Sequence, residues 1–106
     1  IKLWNRNGKL IKTLPAHEDT VVAIAWSGDG TILASGSLDK KIKLWNQEGK
    51  LLKTLVGHSG GVIAVNFSRD GHTLASASMD ETIKLWHLNG NLLETLRGHN
   101  NWVNSV

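Results

Sequence analysis

Ile42-Lys43-Leu44-Trp45 is spelled out twice more in this chain, at Ile1-Lys2-Leu3-Trp4 and at Ile83-Lys84-Leu85-Trp86. The three tryptophans stand at 4, 45 and 86, so the step is 41 residues both times. About half of the positions in residues 1–41 are identical to their counterparts in 42–82. Self-similarity at a period of roughly 20 to 50 residues means that one supersecondary unit is copied, each copy too small to bury its apolar face alone.

Working outward from that stretch, each copy divides into four short β-rich runs separated by Gly, Asn and Asp. Ile1–Trp4 and Lys9–Leu14 flank Asn7-Gly8, a dipeptide that readily takes the positive φ of a tight hairpin turn. Asn89-Gly90 repeats it and Glu48-Gly49 keeps the glycine. Leu10, Lys12 and Leu14 fall on one face of the returning strand. Val21–Trp26, and Val62–Phe67 after it, are apolar at nearly every position, which predicts strands buried on both faces. Ser27-Gly28-Asp29-Gly30 and Ser68-Arg69-Asp70-Gly71 are turns leading into Thr31–Ser37 and Thr73–Ser78, rich in Ala, Ser and Gly, where neighbouring backbones must approach closely. Leu38–Lys41 and Met79–Thr82 then turn the chain into the next Ile-Lys-Leu-Trp run. No window sustains a 3.6-residue period, so the chain reads as all β.

With 106 residues the chain holds about two and a half copies of its unit. Its 41% hydrophobic and 20% charged residues are those of an ordinary folded protein. No apolar run approaches the ~18–20 residues of a membrane helix, which argues against a membrane partner. There is no cysteine, hence no disulfide framework or thiolate metal site, and the expected compartment is the cytoplasm. The net charge of +3 comes from scattered lysines rather than a basic stripe, which argues against nucleic acid.

A Gly-His pair, an Asp 22 residues after the His and a strand-ending Trp six beyond the Asp recur in register. On those residues the chain resembles the WD40 repeat family, and its near-uniform copies resemble bacterial, especially cyanobacterial, arrays of that family. The resemblance implies four-stranded antiparallel propeller blades. The expected organisation is a partial blade at 1–14, blades at 15–55 and 56–96, and the start of another at 97–106. It also implies a buried hydrogen-bonded tetrad in each blade: His17, Ser35, Asp39 and Trp45, then His58, Ser76, Asp80 and Trp86. Donor-only indole, hydroxyl, imidazole and acceptor-only carboxylate can close such a chain of bonds. Ser37 and Ser78 are alternatives for the hydroxyl, and His99 and Trp4 are left without a full set. The Asp that gives the family its name is Asn5, Asn46 and His87 here, and Pro15-Ala16 stands where later copies have Gly57 and Gly98.

Ser, His and Asp also make an acyl-transfer triad, but a triad is needed once and must expose its serine, whereas this trio recurs with a Trp occupying the hydroxyl. The expectation is therefore no enzyme. His17, His58 and His99 are separated by the repeat, and His72 and His87 lack partners at ligand spacing, so no metal and no cofactor is expected. Gly28-Asp29-Gly30-Thr31 lacks the Lys-Ser/Thr of a phosphate loop.

What remains is surface. In the resembled family the loops beside the Gly-His segment and the turn Asp commonly bear partner contacts, which maps here onto Thr20, Val22, Leu38, Gly61, Ile63, Met79, Trp102 and Asn104. Trp102 replaces Thr20 and Gly61, so the repeat does not require an indole there. It is either a contact anchor or a packing residue for a neighbouring loop. Rings of this kind need about four to eight blades. The chain is thus read as an arc of a larger ring, completed by further blades of the same chain or by other copies. The expected function is a non-catalytic scaffold that holds a protein or peptide partner on its loop face. The alternative is a sensor or autoinhibitory module linked to a nucleotide-hydrolysing or protease-like effector.

Overall fold

The computed structural model describes the backbone of residues 2–4 and 10–13, and residues 17 and 19–97 in full. Trp102, Asn104, His99 and Ala16 lie outside the described residues, as does the side chain of Trp4. Ten strands are described, in three antiparallel sheets, and no helix occurs among these residues. A two-stranded sheet pairs β1 (Lys2–Trp4) with β2 (Leu10–Thr13). The first blade orders β3 (Val21–Trp26), β4 (Ile32–Ser37), β5 (Lys41–Asn46) and β6 (Leu51–Val56). The second orders β7 (Val62–Phe67), β8 (Thr73–Ser78), β9 (Ile83–His87) and β10 (Leu92–Leu96).

Every connection inside a blade is a short turn, and the punctuation residues explain why. Gly30, Gly49, Gly71 and Gly90 take φ of +74°, +80°, +75° and +99°, a left-handed region that glycine enters freely and that strains a residue carrying a Cβ. Each Trp of the repeat begins the hairpin at a register shift: Trp4 pairs with Leu10, Trp45 with Leu51 and Trp86 with Leu92. The irregularity recurs with the period, as a built-in bulge does.

The core lies between the blades, where β7 sits against β3 and β4. Because side chains alternate across a strand, one face of the first blade presents Ala23, Ala25, Ala34, Ile42, Leu44 and Leu55. Against them the second blade brings Val62, Val65, Leu74 and Trp86. Gly36 stands on the same face, and a Cβ built there would lie 2.7 Å from Val62 Cγ1. The small residues of β4 thus let one backbone approach the neighbouring blade's valines.

One expectation fails. Val21–Trp26 is not buried on both faces: Val22, Ile24 and Trp26 are 44%, 58% and 47% exposed and alternate with half-buried Val21, Ala23 and Ala25. Its counterpart β7 is covered on the Val62 and Val65 side by the first blade but leaves Asn66 exposed, so the expectation fails there as well, and no described strand covers the corresponding side of β3. Burial of this strand comes from a neighbouring blade, not from its own composition.

Candidate functional site

Two clusters of polar side chains are held in the blades, one copy each. In the second, the Trp86 indole N–H donates to Ser76 Oγ at 2.8 Å, Ser76 Oγ meets His58 Nε2 at 2.7 Å, and His58 Nδ1 meets Asp80 Oδ2 at 2.8 Å. In the first, Trp45 reaches Ser35 at 3.0 Å, Ser35 meets His17 at 2.7 Å and His17 meets Asp39 at 2.8 Å. The strands explain the assembly. Register sets Leu33 opposite Trp45 and Leu74 opposite Trp86, which carries each indole to a serine two residues further along β4 or β8.

Ser35 and Ser76, rather than Ser37 and Ser78, occupy the hydroxyl position. Ser37 Oγ and Ser78 Oγ instead accept the Asp39 and Asp80 amides at 3.0 Å, and Ser78 donates to Gly60 O. The alternate hydroxyls thus hold the turn that aims each aspartate. Gly57 precedes His58 because the Trp86 ring leaves no room: a Cβ there would stand 2.8 Å from its Cη2.

The second cluster takes in two further donors. Thr82, where the first blade has Lys41, donates its hydroxyl to Asp80 Oδ1, and the Ser59 amide donates to Asp80 Oδ2. Partial burial opposes ionisation of Asp80, yet Thr82, His58 and the Ser59 amide outweigh it and pull its pKa from 3.8 to about 2. Burial pushes His58 below the ordinary histidine value despite the nearby carboxylate. The imidazole is therefore neutral near pH 7, a donor at Nδ1 and an acceptor at Nε2. Ser35 and Ser76 are wholly buried, with their hydroxyls occupied by an indole and an imidazole, so neither oxygen can reach a substrate. No group of three or more metal-ligating side chains occurs among the described residues.

At one end of the blades the loop residues come together. The Leu38 amide donates to Thr20 O at 3.1 Å and the Met79 amide to Gly61 O at 2.9 Å, tying each β4–β5 or β8–β9 turn to the start of its own blade. Across the seam, a Cβ built on Gly61 would lie 2.8 Å from Leu38 Cδ2 and 3.3 Å from Met79 Sδ. Leu38 and Met79, both half-buried, thus form an apolar ridge over the buried Gly61 at the joint. Val22 and Ile63 sit two residues further along, on β3 and β7; Val22 is exposed and Ile63 half-buried. The turns at the opposite end are polar. There Asp29 binds the Thr31 and Ser27 hydroxyls, which lower its pKa to about 2, and Asp70 is lowered in the same direction by the Ser68 hydroxyl.

Two features were not anticipated from sequence. Lys40 and Glu81, beside the ridge, take φ of +75° and +70° without being glycine. The clue was available, since each follows a turn Asp and the third turn residue must bend left-handed. His87 does the work of Asn46 at the β9–β10 turn. Asn46 Oδ1 accepts the Glu48 and Lys50 amides, whereas His87 Nδ1 accepts the Asn89 amide at 3.1 Å and Asn89 Oδ1 takes that of Asn91 at 2.9 Å.

Comparison with known proteins agrees with this geometry. The family model for the WD domain, G-beta repeat, matches residues 8–46 and 49–87. Among solved structures, that of U3-55K is 33% identical with a TM-score of 0.92, over 98% of this chain and 35% of its own. The RRP9 WD40 repeats give the same identity and TM-score over 98% of this chain and 34% of theirs. The chain therefore spans about a third of the length of these relatives. No curated protein matches it. Repeat period, blade topology, duplicated polar tetrads and family match lead to one assignment: the chain belongs to the WD40 repeat family.

Proposed function

We propose that this chain is part of a non-catalytic propeller scaffold that holds a protein or peptide partner on the loop end where Leu38, Gly61 and Met79 meet. The observation that carries this reading is the ridge itself. The two turn residues Leu38 and Met79, one from each blade, converge on a glycine, which places two apolar side chains at the tips of adjacent turns, where a partner can meet them. Methionine adapts its shape to a partner, and a flanking pair of unlike charges, Lys40 and Glu81, supplies orientation. Within each tetrad the hydroxyl, imidazole and carboxylate are bonded to one another rather than offered to a substrate. Thr20, Val22 and Ile63 extend the proposed surface. Further blades, in the same chain or supplied by other chains, complete the ring, and the proposed setting is the cytoplasm.

The test is site-specific photo-crosslinking in the native source. A crosslinking residue at Leu38 or Met79 should capture a defined partner, and the same group at Gly28 or Arg69 should not. Equal capture from both ends, or capture only from the Gly28 and Arg69 end, would refute the reading.

A further inference from the structure

We propose that Asn89 is a latent deamidation site, held unreactive by the folded β9–β10 turn and released when that turn lifts away from the neighbouring blade. In the reaction the Gly90 backbone nitrogen loses its proton and attacks Asn89 Cγ. The bond from Cγ to the side-chain nitrogen breaks and ammonia leaves, giving a five-membered succinimide. Water then opens either carbonyl, giving aspartate or isoaspartate. Glycine favours this chemistry because no side chain shields the attacking nitrogen. In the first blade the same turn carries Glu48-Gly49, which has no side-chain amide to lose.

In the folded turn both reacting groups are engaged. The Gly90 N–H donates to His87 O at 2.9 Å, and a nitrogen bonded in that way keeps the proton it must lose. The electrophile is pinned because Asn89 Oδ1 accepts the Asn91 amide at 2.9 Å. His87 adds a third restraint through Nδ1, which accepts the Asn89 amide at 3.1 Å. The exposed Lys53 side chain of the other blade lies along the glycine: a Cβ built on Gly90 would stand 2.6 Å from Lys53 Cε. Lys53 belongs to β6, so lifting the turn separates the glycine from these methylenes. Opening there is accessible, since β10 is an edge strand with Leu92, Leu93 and Leu96 exposed.

The two products differ in consequence. Aspartate keeps an acceptor for the Asn91 amide. Isoaspartate lengthens the backbone by one carbon and displaces the pairing of Leu92 with Trp86, so β10 loses its register. Deamidation of Asn89 is thus a one-way record of seam opening that the first blade cannot make.

The test follows the tryptic peptide Leu85 to Arg97 by mass spectrometry during incubation at neutral pH, comparing the folded protein with the same protein in urea. The unfolded chain should convert at Asn89 and the folded chain at least about tenfold more slowly, the ratio reporting the opening equilibrium. Lys53→Ala and His87→Ala should each accelerate conversion several-fold while hydrogen exchange in β7 and β8 shows the blade intact. Acceleration in either folded variant supports the proposal. Equal rates in folded and unfolded chains, no conversion in urea, or wild-type rates in both variants would overturn it.

Discussion

Ser76 is the residue on which most other groups in the second blade depend. It accepts from Trp86 and donates to His58, so Ser76→Ala would leave a buried indole N–H and a buried imidazole nitrogen without partners. The expected loss is about 2–4 kcal/mol, more than for a single hydrogen bond, because each stranded group keeps its desolvation penalty. Ser78→Ala, which removes bonds to the Gly60 carbonyl and the Asp80 amide, should cost about 1–2 kcal/mol. Urea denaturation of the two variants checks the order, and a smaller effect at Ser76 would show that the network relaxes around the gap. Lys40 and Glu81 act in the opposite sense. A left-handed conformation costs a residue with a Cβ about 1–2 kcal/mol, so Lys40→Gly and Glu81→Gly should each raise the stability by roughly 0.5–1 kcal/mol after the glycine's extra chain entropy, read as a higher urea midpoint.

The two ionisable members of that network give stability a defined pH dependence. His58 has its folded pKa below the ordinary value of 6.5, so the unfolded chain binds a proton first. Its contribution is present above pH 6.5 and is lost as pH falls through the depressed folded value. Asp80, at about 2 in the folded chain against 3.8, contributes above 3.8 and loses that contribution as pH falls towards 2. Urea midpoints measured across this range should fall in two stages. In His58→Gln the upper stage should shrink, and an unchanged profile would assign that slope to another group.

At the scale of elements, β4 and β7 decide how the blades meet. Gly36→Val would drive a branched side chain into Val62 and Val65, which stand within 3.3 Å of even a Cβ, and overpacking of that kind costs about 1–3 kcal/mol. The size of the glycine was legible in the pattern of small residues in Ile32–Ser37. Which neighbour it accommodates was not, because the contact joins residues from different copies. The two-sided burial expected of Val21–Trp26 failed for a related reason. An apolar run records what a strand is able to bury, and only the position of the next blade determines whether Val22, Ile24 and Trp26 are covered.

For the whole molecule, the two blades share one core, so their stabilities are coupled as in a linear array with nearest-neighbour interfaces. Gly36→Val, placed in the first blade, should therefore lower hydrogen-exchange protection in β8 of the second as well as in β4. Protection reduced in β4 alone would mean that the blades unfold independently.

The sequence by itself determined the repeat, the four-strand unit and the glycines at positive φ, while the tetrad residues were legible only through the resemblance to the WD40 family. The first three are local or periodic properties, set by backbone sterics within one copy. The choice of Ser35 and Ser76 over Ser37 and Ser78 needed the structure, because strand register decides which hydroxyl an indole ten residues away can reach. The meeting of Leu38, Gly61 and Met79, the approach of Lys53 to Gly90 and the exposure of Val22, Ile24 and Trp26 also needed it. They are relations between one blade and the space beside it, and the packing of sheet on sheet, rather than any single stretch of chain, decides them.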